Sequence, residues 1–117
     1  MKKIAVIGSR DFDNFGLLKD VLDAHCPMVV VSGGAKGADA LAELYAKQNG
    51  LEVQLFKPDW KIFGRGAGVI RNRQIVESCD YVIAFWDGKS RGTKSSIDYA
   101  RKLNKAVHIE LYSLKAE

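Results

Sequence analysis

What could anchor this chain covalently or in a membrane is scarce. Cysteine occurs twice in 117 residues, and Cys26 and Cys79 have no CxxC or CxxH spacing, so neither a disulfide framework nor a zinc site is expected. Both thiols are read as buried and structural. His25 and His108 are isolated, one at a helix end and one on an edge strand, so no metal site is expected. No apolar run approaches the ~20 residues of a membrane span, and Met1-Lys2-Lys3 leads directly into a four-residue apolar strand, far short of a signal-peptide core. The expectation is a cytoplasmic protein with no membrane partner. No linker, internal repeat or low-complexity stretch breaks the chain, and its length suits a single domain, 1–117, with one three-layer core.

What is present is ordinary for a globular domain: 47% apolar residues, 27% charged and eleven glycines. Short β-branched or aromatic runs at Ile4–Ile7, Met28–Val31, Val53–Phe56, Tyr81–Trp86 and Ala106–Tyr112 read as five strands. Helical patterns lie between them: Leu17, Leu18, Val21, Leu22 and His25; then Leu41, Ala42, Tyr45 and Ala46, stopped by Gly50; then Ile75, Val76 and Cys79; then Ile97, Ala100 and Leu103. Strict alternation with short connections means an α/β fold, a mainly parallel sheet covered by helices on both faces. "IAVI", "MVVV" and "YVIAFW" are almost wholly apolar, as central strands are, whereas "VQLF" and "VHIELY" carry polar residues and read as edges. The strand order 3-2-1-4-5 satisfies this. It is a Rossmann-like arrangement whose ligand crevice lies between strands one and four, where the loops after strands one, two and four converge.

Those loops are the least bland stretches of the sequence: "GSRDF" from Gly8, "SGGAKGAD" from Ser32 to Asp39, and "DGKSRGTKSS" from Asp87 to Ser96. Ser32 and the Gly33-Gly34 pair read as a backbone anion cradle, and Gly37 permits close approach to a helix beginning at Ala38, whose free amides and positive dipole end suit a phosphate. The Walker A spacing is absent, and "GRGAGV" fails the GxGxxG fingerprint, which disfavours ATP hydrolysis. With a formal charge of +4, basic residues gather at these loops and on the preceding helix: Arg10, Lys36, Arg65, Arg71, Arg73, Arg91 and Lys94. Several guanidinium forks together suit a multi-phosphate or phosphoribosyl group. Magnesium can accompany a polyphosphate ligand; no cofactor is otherwise implied.

Asp39 has two readings, a carboxylate serving the first helical turn or a contact to ribose hydroxyls. Ser95 and Asp98 have capping-box spacing, which makes Asp98 structural, while Thr93 and Ser95 can donate to a phosphate. Trp60, Phe63 and Trp86 are candidates to stack on a base, Trp86 the best placed at a strand's carboxyl end.

"GSRDF", "SGGAKGAD", "FKPDW", "GRGAGVIRN" and "YVIAFWDGKSRGTKSSIDYA", in that order and over nearly the whole chain, resemble the SLOG superfamily and its small YspA-like branch. The superfamily, named for the DprA/Smf and LOG proteins, has a Rossmann-like fold and binds nucleotides, nucleotide-derived signals or single-stranded DNA. The loops and this resemblance together mark Gly8, Ser9, Arg10, Ser32, Gly33, Gly34, Lys36, Gly37, Asp39, Arg71, Asn72, Trp86, Ser90, Arg91, Gly92, Thr93 and Lys94 as candidate ligand contacts, and the resemblance points to a homo-oligomer. LOG phosphoribohydrolases carry an Arg-Lys pair and PGGxGTxxE, which look like Arg71-Asn72 and "DGKSRGTKS" here. Ser96 stands where their Glu is expected, and Trp86-Asp87-Gly88 replaces PGG. A phosphate grip is therefore expected without the hydrolytic carboxylate, for which Asp39, Asp87 and Asp98 are the substitutes at hand. The leading expectation is a sensor or sequestering protein for a phosphorylated nucleotide or ADP-ribose-type ligand. Two alternatives stand beside it: a nucleoside 5'-monophosphate phosphoribohydrolase, and a single-stranded DNA binder of the DprA kind.

Overall fold

Five strands pair edge to edge, all parallel, in the order β3-β2-β1-β4-β5: β1 (Lys3–Gly8), β2 (Val29–Ser32), β3 (Glu52–Leu55), β4 (Tyr81–Trp86) and β5 (Ala106–Leu111). The helices between them are α1 (Phe15–His25), α2 (Ala38–Gln48), α3 (Trp60–Phe63), α4 (Ala67–Ser78) and α5 (Arg91–Lys102). The computed structural model describes residues 2–113.

Strand residues alternate between two faces, and each face builds its own core. On one, Ile4, Val6, Val30, Ile83 and Phe85 pack with Leu18 and Leu22 of α1 and with Ala38, Ala42 and Ala46 of α2. The three alanines recur every fourth residue, so α2 presents a smooth stripe that lies close against the sheet. On the other face, Ala5, Ile7, Val31, Val82 and Ala84 meet Ile75 and Val76 of α4 and Ile97 and Ala100 of α5. Each fully buried Val, Leu or Ile contributes roughly 1.5–3 kcal/mol. Central β1 is registered between Val30 of β2 and Tyr81 of β4 at Ile4, which sets the carboxyl ends of all three strands at one edge of the sheet.

Four of the five strands, all but β4, have ends that move by one residue from the sequence reading, and Met28 is exposed rather than part of β2. α3 and the 3-10 turn that follows it, Gly64–Gly66, have no apolar periodicity to announce them. α3 buries none of its residues and is held at its start by Asp59, whose Oδ1 accepts from the Ile62 N–H at 3.2 Å. Of the two thiols expected to be buried, Cys79 is, while Cys26 is exposed at the C-cap of α1 with a left-handed φ of 50°. His25, at the end of α1, and His108 of β5 are not isolated in space: their ring centroids lie 5.3 Å apart. Among the described residues no group of three or more His, Cys, Asp or Glu side chains is placed to hold a metal ion. None of the described helices is long and apolar enough to cross a membrane.

Candidate functional site

At the carboxyl edge of the sheet, where the chain leaves β1 toward α1 and β4 toward α5, a cavity of about 490 Å³ opens. Two glycines make it possible by letting the β1 and β2 loops touch. A Cβ on Gly8 would stand 2.6 Å from the Ala38 Cβ and 2.6 Å from the Phe85 carbonyl oxygen. One on Gly37, whose φ is +77°, would stand 2.6 Å from the Arg10 carbonyl oxygen. Phe12 anchors the β1 loop, its ring stacked 4.7 Å from Phe85 and meeting Tyr112 edge-on at 4.8 Å.

Gly8, Ser9, Arg10 and Asp11 form one wall of the cavity, Ala35 and Asp39 a second, and Arg71, Asn72 and Ile75 of α4 a third. Asp87, Ser90, Gly92, Thr93 and Ser96 close it from the start of α5. Arg71 is held on two sides: Nη1 donates to the Gly33 carbonyl at 2.6 Å and Nε to Asn72 Oδ1 at 2.8 Å. Half-burial lowers its pKa, Asp39 opposing the shift and Arg10 adding to it. Asp39 is buried, and its Oδ2 accepts from the Ala35 N–H at 3.1 Å. Burial raises its pKa against the pull of the Ala35 amide and the Arg71 charge, while Glu43 one turn on pushes it further up.

The start of α5 is organised by its own side chains. Asp87 Oδ1 accepts from the Lys89 and Ser90 N–H groups, each at 2.8 Å, and these bonds hold its carboxyl below the usual range. Ser90 is the N-cap: its Oγ accepts from the Thr93 N–H at 3.4 Å and donates to Thr93 Oγ1 at 3.1 Å. Nearby lies Ser9, only 6% exposed, whose Oγ makes no well-formed hydrogen bond among the described residues and has the Tyr112 hydroxyl, itself donating to Asp11 Oδ1, as a polar neighbour. Such a group costs about 1–3 kcal/mol if it stays unpaired.

The cavity thus gathers ten of the residues picked out in the sequence: Gly8, Ser9, Arg10, Asp39, Arg71, Asn72, Asp87, Ser90, Gly92 and Thr93. Others lie elsewhere. Ser32 turns away from it, donating to Glu43 Oε2 at 3.1 Å and accepting from the Gly34 N–H at 3.3 Å. Gly33 acts through its carbonyl on Arg71, and Gly34, with φ +72°, faces Leu55 and Lys57. The glycine pair is therefore a support for Arg71 and a turn, not the cavity's own wall. Lys36, Arg91 and Lys94 are exposed outside it, and Lys94 pairs with Asp98 at 2.8 Å. Asp98 consequently sits on the flank of α5, away from the cavity, and Ser95 and Asp98 form no capping box, because the helix begins five residues earlier than that spacing implies. Trp86 does not line it either: its indole N–H donates to the Ser90 carbonyl at 3.0 Å and its ring packs on the α4–α5 side of the core.

Five lining residues escaped the sequence reading: Ile7, Asp11, Ala35, Ile75 and Ser96. Two had a detectable signal. Ile75 follows Arg71 by four residues and Ser96 follows Thr93 by three, so each shares a helix face with a residue already singled out.

The model of the YspA, cpYpsA-related SLOG family matches residues 2–63. The Gene 61 protein of Mycobacterium phage D29 is 35% identical over 113 residues, covering 87% of this chain and 90% of that protein. Among solved structures, the X-ray structure of DNA processing protein A from Streptococcus pneumoniae superposes with a TM-score of 0.82 at 22% identity, over 97% of this chain and 52% of that one. DNA processing protein A from Helicobacter pylori, described for its single-stranded DNA binding mode, gives 0.74 at 23% identity, over 99% of this chain and 68% of that one. The chain thus spans about half the length of the Streptococcus protein, and the two likenesses establish a shared fold.

Proposed function

The chain belongs to the YspA, cpYpsA-related SLOG family, and from that premise we propose that its crevice binds a phosphorylated nucleotide or nucleotide-derived ligand of the ADP-ribose type, as a sensor or sequestering protein. The observation that carries this reading is the Ser9 hydroxyl, buried and unpartnered at the cavity wall, where Arg71, Arg10 and the start of α5 also converge. A phosphate oxygen accepts from a hydroxyl, from guanidinium N–H groups and from helix-start amides alike, so one anion satisfies all of them. Asp39, which lines the same cavity, is the acceptor that this reading assigns to the ribose hydroxyls.

Calorimetry with adenosine monophosphate, ADP and ADP-ribose tests this. Binding is expected for at least one, with Arg71→Ala weakening it about ten-fold or more, the loss of a charge-assisted contact. A folded protein that binds none of them overturns the reading. Chromatography of the same mixtures separates binding from hydrolysis: intact ligand after long incubation supports a binder, and free base would show an N-glycosidic hydrolase.

The exposed Arg10, Arg91 and Lys94 beside the cavity and the fold shared with the Helicobacter protein favour single-stranded DNA as the second reading. Fluorescence anisotropy with a labelled oligonucleotide decides it, since such binding weakens steeply with salt and its absence at low salt rules it out.

A further inference from the structure

A second, smaller cavity of about 230 Å³ lies between α4 and α5. It touches the first at Asn72 and Ser96, which line both. Alone it falls below the range of roughly 300–1,000 Å³ typical of ligand sites, so it makes sense as an annex to the larger cavity. Its chemistry differs. The Tyr99 ring is pinned at its hydroxyl, which donates to Glu77 Oε2 at 2.5 Å, and the Arg73 guanidinium lies 5.3 Å from its centroid. Asp98, whose Oδ2 pairs with Lys94 at 2.8 Å, Ser95 and Lys102 line the same groove with a carboxylate, a hydroxyl and an ammonium. Along α5 the step from Gly92, at the first cavity, to Tyr99 is about 10 Å of helical rise. A phosphate held at the start of α5 does not reach that far; a group attached beyond it does.

Resting on the reading of the first cavity as a nucleotide-phosphate site, we propose that the α4–α5 groove is a second subsite, taking a ribose or nucleoside joined through a pyrophosphate to the nucleotide in the crevice. The Asp98 carboxylate, one oxygen of which already holds Lys94, offers its other oxygen to sugar hydroxyls, and Arg73 and Lys102 line the same groove as donors. The ligand class is then a nucleoside diphosphate extended by a second sugar, and a simple mononucleotide fills only half of the site.

Calorimetry with AMP, ADP and ADP-ribose on the full chain, alone and as Arg73→Ala and Lys102→Ala, reads this directly. Both residues are exposed, so the variants are expected to fold, and unchanged thermal midpoints verify it. ADP-ribose is expected to bind about ten-fold more tightly than ADP, and each variant to lose most of that advantage while keeping AMP affinity within about two-fold. Equal affinity for ADP and ADP-ribose, or variants that weaken AMP as much as ADP-ribose, overturns the second subsite while leaving the crevice reading standing. Absence of binding to all three overturns both.

Discussion

Arg71 and Asp39 face each other across Gly33 with no room for a side chain between them. A Cβ at residue 33 would stand 2.7 Å from Arg71 Nη1 and 2.9 Å from Asp39 Oδ2. The Gly33 carbonyl is itself the acceptor for that Nη1, at 2.6 Å. One peptide thus positions a cation from α4, 38 residues away in the chain, and lies against a carboxylate from α2. The crevice's charge arrangement therefore depends on a residue that does not line it.

Gly33→Ala and Gly37→Ala should separate site from scaffold. At Gly33 the obstructing atoms are ends of flexible side chains, so the fold survives: a stability loss of about 1 kcal/mol or less is expected, with nucleotide affinity falling about ten-fold as Arg71 swings aside. At Gly37 the obstruction includes the Arg10 carbonyl, and φ of +77° suits only glycine, so Ala there should cost at least about 1–3 kcal/mol of stability. Urea unfolding and calorimetry measure both, and a Gly33 variant less stable than the Gly37 variant would contradict this account.

Ser9→Ala should move stability and affinity in opposite directions. Its Oγ is buried with no partner, so removing it relieves an unpaired polar group and raises unfolding stability by up to about 1 kcal/mol. The same change removes the donor that we assign to a ligand phosphate, and on that reading affinity should fall about five-fold. A stability loss of similar size would show that Ser9 is structurally satisfied in solution and has no vacant valence for a ligand.

Alternating apolar strands and helices made the sheet order legible, because burial on both faces is written directly into "IAVI" and "YVIAFW". Convergence of three loops at the switch between β1 and β4 followed from that order. Which side chains enter the crevice did not follow, since it depends on rotations that no local pattern records. Ser32 stands outside the cavity because its hydroxyl is taken by Glu43, eleven residues away across the β2–α2 turn. Trp86 stands outside it because its indole caps a carbonyl in its own loop. The Ser95–Asp98 spacing misled because Ser90 already starts α5, and Asp98 finds Lys94 instead.

Asp39→Asn should reveal a pH-dependent cost of burial. Desolvation raises the Asp39 pKa in the folded protein above the ordinary carboxylate value of 3.8, so between those two values the native state holds more protons than the unfolded chain. Stability therefore falls as pH rises through that window. Asparagine retains an acceptor for the Ala35 amide and carries no charge. The variant should match the wild type below about pH 3.8 and become the more stable of the two above the folded pKa, as followed by denaturant midpoints across pH. A wild type more stable than the variant at neutral pH would mean that Arg71 outweighs burial.

Asp87→Asn should show the opposite sign at the other end of the crevice. The Ser90 and Lys89 amides favour the Asp87 carboxylate in the folded state and lower its pKa beneath 3.8. The native state then releases its proton more readily than the unfolded chain, and the carboxylate's stabilisation is present above 3.8 and disappears as pH falls through the folded pKa. Asn at 87 keeps one acceptor oxygen without the charge, so it should be less stable than wild type at neutral pH and converge with it in acid. Because Asp87 shapes the turn that presents Ser90 and the start of α5, the same substitution should loosen that turn and weaken ADP affinity at pH 7. Circular dichroism melts over a pH series, run beside those for Asp39→Asn, give the decisive comparison. Two curves that diverge from wild type in the same direction would show that the carboxylates share one electrostatic environment, whereas opposite divergence establishes a crevice with a buried acid on one wall and an amide-held carboxylate on the other.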